Sequence, residues 1–86
     1  MTRDIVHRLV GYDAATERIA FQRDIPRGKL PIVKHLARVA QTDPDAVGAY
    51  PLSTAQARDV AGILGIDLPR EHLCFFLEPF AVAPAA

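Results

Sequence analysis

Two side chains near the end of the chain are of the types that bind metal ions. His72 and Cys74 lie two residues apart, so on a β-strand they would point to the same side and could share one zinc ion. A tetrahedral zinc site needs at least three protein ligands, so His7 or His35 would have to complete it. Because the sequence contains neither a CxxC nor an HxxxH pair, we predict no metal site and no other cofactor.

Cys74 is also the only thiol that could act as a nucleophile. It lies between Leu73 and Phe75 in the most apolar stretch of the chain, where burial would keep substrates away from the sulfur. We therefore predict an inert cysteine in the core. The carboxylates that could act as general acids or bases fall in predicted turns or at a helix start, where capping of the local backbone explains them. Since no glycine-rich phosphate loop is present either, we predict that the protein is not an enzyme.

Basic side chains concentrate between Arg23 and Arg38, a segment that also contains Arg27, Lys29 and Lys34. Lys34 and Arg38 are four residues apart, so on a helix they would project together. Phosphate contacts require such a cluster, which makes a nucleic-acid-binding regulator the alternative function. No aromatic residue lies within the segment and the formal net charge of the chain is zero, so nucleic acid is the less favoured partner. Arg27, Lys34 and Arg38 are instead predicted to contact an acidic protein.

The most apolar stretch, residues 73–77, is too short for a buried helix and has the pattern of a strand. Pro79 is predicted to end this strand because proline has no backbone N–H. Side chains that alternate along a strand point to opposite faces. The alternation would place Leu73, Phe75 and Leu77 on one face, and Cys74 and Phe76 on the other.

Two more strands are predicted to form a hairpin near the start of the chain. Residues 5–12 and 18–25 both alternate as strands, and the turn between them contains Gly11, Asp13 and Thr16. Asp13 and Thr16 are residue types that hydrogen-bond to local backbone in turns. Val6, Val10 and Tyr12 would share one face of the hairpin.

Two helices are predicted between the hairpin and the last strand. The first has apolar residues at helical spacing from Pro31 to residue 41 or 42, just before Asp43-Pro44. The second begins with the capping box Ser53 to Gln56, in which each side chain bonds the other's backbone amide. Gly65 suits the left-handed position that ends a helix. The segment between the helices, residues 49–52, is predicted to be extended.

The order of these elements predicts a single α+β domain over residues 1–80, with a flexible tail at 81–86. Its simplest assembly is a three-stranded antiparallel sheet, in chain order β-β-α-α-β, with both helices on one face. The second face would then be apolar, and a monomer rarely leaves such a patch unused. We therefore expect a homodimer formed through Tyr12, Cys74 and Phe76. The alternative is that residues 80–82 fold back over the patch.

The expected location is the cytoplasm of a bacterium. One cysteine cannot form an internal disulfide bond and is compatible with a reducing compartment. No apolar run approaches the roughly 18 residues needed to span a bilayer, and the first residues lack the apolar core of a signal peptide. We therefore expect no membrane partner.

Four short motifs resemble those of a family of small bacterial domains of unknown function. The family has a Gly-Tyr-Asp hairpin, an Asp-Pro segment that leads to a tyrosine and a capped helix, and a Phe-Leu-Glu ending. In this chain they are Gly11-Tyr12-Asp13, Asp43-Pro44 with Tyr50-Pro51-Leu52, Ser53 to Gln56, and Phe76-Leu77-Glu78. The resemblance supports the α+β fold and implies no activity or catalytic residues. The expected function is therefore that of a non-enzymatic protein-interaction module.

Overall fold

The computed structural model describes residues 4–69 and 72–82 of the chain. Its class is α+β, with two helices and one antiparallel sheet, as predicted, but the sheet has four strands instead of three. The elements in chain order are β1 (Asp4–Asp13), β2 (Ile19–Asp24), α1 (Leu30–Leu36), β3 (Tyr50–Leu52), α2 (Thr54–Leu64) and β4 (Leu73–Val82).

The sheet is built on the pairing of β1 with β4. The strand order is β2-β1-β4-β3, and β1 and β4 pair along all ten residues of each strand. Leu9 lies opposite Leu77, and Gly11 lies opposite Phe75. A Cβ atom on Gly11 would come within 2.8 Å of the Leu73 side chain and 3.1 Å of Phe75. The absence of a side chain at Gly11 therefore lets Leu73 and Phe75 lie directly on β1.

The strand missing from the three-stranded prediction is β3. Tyr50 pairs with Leu77 and Leu52 pairs with Phe75, with Pro51 between them. A proline can occupy an edge strand because one side of that strand has no partner. The extended conformation predicted for residues 49–52 is confirmed over Tyr50–Leu52. Three residues with a proline in the middle are too few to show the alternation of apolar and polar side chains that identifies a strand.

β4 is longer than predicted because Pro79 does not end it. The oxygen of His7 accepts a hydrogen bond from the Ile25 nitrogen at 2.8 Å, so the backbone polar groups of His7 point toward β2. Pro79 lies opposite His7, and its nitrogen therefore faces away from β1. On that side β3 covers only residues 75–77, so the missing N–H breaks no bond of the sheet.

The continuation of β4 also changes the predicted tail. Phe80, Ala81 and Val82 pair with β1, so they neither fray nor fold back over the open face. The predicted flexible tail covered residues 81–86, of which 83–86 lie outside the described residues.

The core lies between the sheet and the two helices. Phe21 and Phe75 contribute aromatic rings that meet edge to face, with centroids 6.3 Å apart. Each large aliphatic side chain buried here contributes about 1.5–3 kcal/mol by leaving water. The buried residues of this core are Leu9, Phe21, Ile25, Val33, Ala37, Leu52, Ala57, Val60, Phe75 and Leu77.

α1 ends at Leu36, well before the predicted end at residue 41 or 42. Arg38 adopts a left-handed conformation with φ of 55°. Its nitrogen donates to the oxygen of His35, and the nitrogen of Val39 donates to the oxygen of Lys34, at 3.2 and 3.1 Å. These two bonds form the Schellman motif, which usually has glycine at the left-handed position. Lys34 and Arg38 are therefore not neighbours on one helix, contrary to prediction.

α2 begins and ends as predicted. Ser53 Oγ accepts from the Gln56 nitrogen at 3.1 Å, and Gln56 Oε1 accepts from the Ser53 nitrogen at 2.8 Å. Gly65 closes the helix with φ of 70°. Gln56 also donates through Nε2 to the oxygen of Leu36 at 2.9 Å, so one side chain caps the start of α2 and the end of α1. Neither α1 nor α2, the helices of the described ranges, is long and apolar enough to cross a bilayer.

Candidate functional site

The face of the sheet turned away from the helices carries three of the predicted contact residues. Tyr12 lies opposite Cys74 on the neighbouring strand, and Phe76 follows on the same face of β4. The predicted separation of Leu73, Phe75 and Leu77 from Cys74 and Phe76 is confirmed, since only the first set faces the helices. We call this surface the open face. Its strand residues include Val6, Arg8, Val10, Tyr12, Cys74, Phe76, Glu78, Phe80 and Val82.

Tyr12 is the centre of the polar and aromatic contacts on the open face. Its ring meets the Phe76 ring edge to face, with centroids 5.6 Å apart and an interplanar angle of 83°. Its hydroxyl donates to Glu78 Oε2 at 2.5 Å. That hydrogen bond, together with burial and the nearby negative charge, raises the pKa of Tyr12 above its ordinary value of 10.0. The phenol is therefore held neutral as a hydrogen-bond donor.

Arg8 covers the other half of the open face. Its Nε donates to Asp24 Oδ1 at 2.7 Å, and its guanidinium lies 4.7 Å from the centre of the Phe80 ring. Val10, next to it on the same face, is completely buried. The prediction of an apolar second face is therefore correct only in part, because polar side chains lie across its apolar residues.

Cys74 is exposed, which corrects the prediction of an inert core cysteine. Its neighbours Leu73 and Phe75 point toward the helices, whereas the thiol points to the opposite face of the sheet. Apolar neighbours in sequence therefore do not bury Cys74. The alternation that was predicted for β4 itself places Cys74 on the uncovered side.

A shallow hollow of about 440 Å³ lies at the Tyr12 end of the open face. It opens beside the hairpin turn, where Asp13 Oδ1 accepts from the backbone nitrogens of Ala15 and Thr16 at 2.8 and 3.2 Å. The local capping predicted for Asp13 is thereby confirmed. The hollow is lined mainly by Tyr12, Asp13, Glu17, Cys74, Phe76 and Glu78.

The predicted basic contact residues do not join this site. Arg27 lies exposed in the turn before α1, Lys34 lies half-buried within α1, and Arg38 follows the end of α1. Arg38 lines a separate groove of about 800 Å³ between the end of α1, β3 and the start of α2. Two other basic side chains hold the fold together: Lys29 Nζ donates to the oxygen of Ile63 at 2.8 Å, and the Arg23 guanidinium lies 4.8 Å from the Phe21 ring centre.

A network centred on Asp43 organises the loop before β3, where the sequence predicts no more than a turn. Asp43 accepts from the Tyr50 hydroxyl at 2.6 Å and from the nitrogens of Val47 and Gly48 at 2.9 and 3.0 Å. The bond from Tyr50, followed by those from Val47 and Gly48, lowers the pKa of Asp43, and the same bond to Asp43 raises the pKa of Tyr50. The tyrosine that follows the Asp-Pro segment therefore holds the loop in place through its hydroxyl.

His7 ties the same loop to the sheet. It is buried, and its Nε2 lies 3.1 Å from the oxygens of both Asp45 and Ala46. Both neighbours are acceptors, so this nitrogen carries the hydrogen. Within residues 4–69 and 72–82, no three His, Cys, Asp or Glu side chains are grouped so that they could hold a metal ion.

Comparison with known proteins identifies a family for this chain. No curated protein and no solved structure matches the sequence. The sequence model of the domain of unknown function DUF7683 matches residues 7–78, a range that contains most of the hairpin, both helices and most of β4. The resemblance to a family of uncharacterised domains is therefore confirmed, and the chain belongs to the DUF7683 family.

Proposed function

We propose that the protein is a non-enzymatic interaction module that binds a protein partner through its open face. The observation that supports this proposal is the unequal covering of the sheet. Both helices lie on one face, whereas no helix or strand among residues 4–69 and 72–82 covers the other. Phe76, Phe80 and Val82 remain only half-buried there, and a folded protein gains free energy when a partner removes such side chains from water.

The size of the face limits the strength of this interaction. With a strand spacing of about 4.8 Å and a rise of about 3.3 Å per residue, the sheet offers roughly 500 Å² to a partner. An interface of roughly 1,000 Å² in total lies at the lower limit of specific protein interfaces. The proposal therefore describes a reversible complex, whether the partner is a second copy in a homodimer or a different protein.

Site-specific photo-crosslinking in the native host tests the proposal. A photoreactive benzoylphenylalanine replaces Cys74 on the open face in one variant and Ile32 in the matched control. Ile32 is an apolar residue on α1 that is 51% exposed, so its position tests the opposite side of the molecule. We expect adducts from position 74 and none from position 32. An adduct of twice the mass of the chain identifies a homodimer, and any other mass identifies a separate partner.

The reverse pattern would refute the proposal. Adducts from position 32 without adducts from position 74 would place the interface on the helices. Equal adducts from both positions would indicate random collisions. Circular dichroism of both variants shows whether they are folded, which is expected because both replaced side chains are exposed.

A further inference from the structure

We propose that the hollow at the end of the open face receives an arginine or lysine side chain from a basic segment of a separate partner protein. This inference rests on the proposed function, because it names the chemistry of the partner at that same face. Three observations support it: the charge of the rim, the aromatic rings of the floor, and the pairing of Arg8, the one cation among the described strand residues of the face.

The rim of the hollow is acidic. Asp13, Glu17 and Glu78 line it, and among the residues that the structure describes no lysine or arginine lines it. Asp13 is fixed in place by two turn amides, and Glu78 is oriented by the Tyr12 hydroxyl. Because a carboxylate that accepts hydrogen bonds keeps further lone pairs, these three bonds leave oriented acceptors for an arriving cation.

The floor of the hollow is aromatic. The rings of Tyr12 and Phe76 lie against each other there, and aromatic rings attract cations placed over them. The same sheet already binds its own guanidinium groups in this way. Arg8 lies 4.7 Å from the centre of the Phe80 ring, and Arg23 lies 4.8 Å from that of Phe21. A long basic side chain would also cover the apolar part of the floor with its methylene groups.

A separate partner fits the hollow better than a second copy does. Among the described strand residues of the open face, Arg8 is the one cation. It is already paired with Asp24 and stacked on Phe80. A second copy that presented the described strand residues of this face would bring further carboxylates toward the hollow and, among those residues, no uncommitted cation. Like charges brought together at an interface disfavour binding.

Two-dimensional NMR of the full-length ¹⁵N-labelled protein tests the inference with defined probes. The probe is the blocked peptide Ac-Gly-Arg-Gly-NH₂, and the control is Ac-Gly-Nle-Gly-NH₂, in which norleucine provides the methylene chain without the charge. We expect saturable shifts of the Tyr12, Glu17 and Cys74 amides with the arginine peptide only. A single side chain in an open hollow implies a millimolar dissociation constant, which should rise with added salt.

Two matched variants then assign the charge effect to the rim. Glu17→Gln removes one rim charge from an exposed side chain, and Asp59→Asn removes one charge from the exposed side of α2. We expect the dissociation constant of the arginine peptide to rise about two- to fivefold in Glu17→Gln, the range of an exposed ion pair. Asp59→Asn should leave it unchanged.

Three results would overturn the inference: no saturable shifts with the arginine peptide, equal shifts with the norleucine peptide, or equal effects of the two variants. None of them affects the photo-crosslinking experiment. If position 74 gives adducts but the arginine peptide causes no saturable shifts, the proposed interface on the open face stands and the inference of a bound arginine or lysine side chain is rejected. If the adduct also has twice the mass of the chain, the partner that covers the open face is a second copy and not a separate basic protein.

Discussion

At the scale of single residues, Asp43 carries the most concentrated set of polar contacts. One carboxylate fixes the loop before β3 by accepting from Tyr50, Val47 and Gly48. Because these bonds favour the ionised form, the pKa of Asp43 is lower in the folded state than its ordinary value of 3.8. Asp43 therefore stabilises the fold above about pH 3.8, and this contribution is lost as pH falls through the lowered folded-state pKa.

Asp43→Asn should lower the thermal midpoint at pH 7, since an amide cannot accept with both of its terminal atoms. The difference from wild type should shrink progressively as the pH falls below the ordinary value of 3.8. Thermal melts of both proteins between neutral and acidic pH measure this. A difference that stayed constant over the whole range would show that the charge of Asp43 contributes nothing.

Tyr12 gives the corresponding prediction at alkaline pH. Tyr12→Phe keeps the ring contact with Phe76 and removes the hydroxyl that donates to Glu78, which should cost about 1 kcal/mol of unfolding free energy. The pKa of Tyr12 is raised, so its contribution is complete below its ordinary value of 10.0 and is lost as pH rises beyond it. Denaturant melts of both proteins near pH 8 and above pH 10 should show the difference closing. A gap that widened at high pH would contradict this assignment.

At the scale of the elements, Gln56 joins the two helices. It completes the capping box of α2 and donates to the oxygen of Leu36 at the end of α1. Gln56→Glu preserves the capping box, for which glutamate is a usual residue, but places a carboxylate against the Leu36 oxygen. We expect a loss of about 1 kcal/mol of unfolding free energy, measured by urea melts. A stabilised variant would show that the link between the helices contributes nothing.

Arg38 lies two residues beyond the end of α1, and its φ of 55° is a conformation that costs a non-glycine residue free energy. Arg38→Gly should raise the unfolding free energy by up to about 1 kcal/mol, while Arg38→Ala, which removes the charge but keeps the Cβ atom, should not. Comparing the two variants separates the effect of the backbone conformation on the unfolding free energy from the effect of the charge. If both variants were stabilised alike in urea melts, repulsion between charges would be the cause instead.

The elements that the sequence predicts well are those that begin or end with a residue type that caps a helix or forms a turn. Ser53 with Gln56, Gly65, and the hairpin turn at Asp13 are all local motifs whose residue types determine the backbone. The predictions are wrong where strand pairing, or a backbone conformation unusual for its residue type, determines the structure. Pro79 continues β4 only because β3 is too short to require its N–H. α1 ends at Leu36 because Arg38 takes the left-handed position after it, where no sequence rule predicts an arginine.

At the scale of the whole molecule, the alternation in β4 correctly separated the two faces of the sheet. Together with the alternation in the hairpin, it predicts a common face for Tyr12, Cys74 and Phe76, which the structure shows. It does not predict the contacts that Arg8 and Glu78 make across the open face, because those contacts depend on the register between β1, β2 and β4. It also could not predict the hollow, since its rim comes from the hairpin turn and its floor from β1 and β4.

The rate at which a thiol reagent labels Cys74, the single cysteine, shows whether a partner covers the open face in the cell. Cys74 is exposed in the isolated chain, so a thiol reagent should label it rapidly in dilute purified protein. In intact cells we predict that labelling of Cys74 is slowed, while a cysteine introduced by Ile32→Cys in a Cys74→Ser background reacts as it does in purified protein. Equal labelling of Cys74 in cells and in dilute solution would contradict the proposal that a partner covers this face.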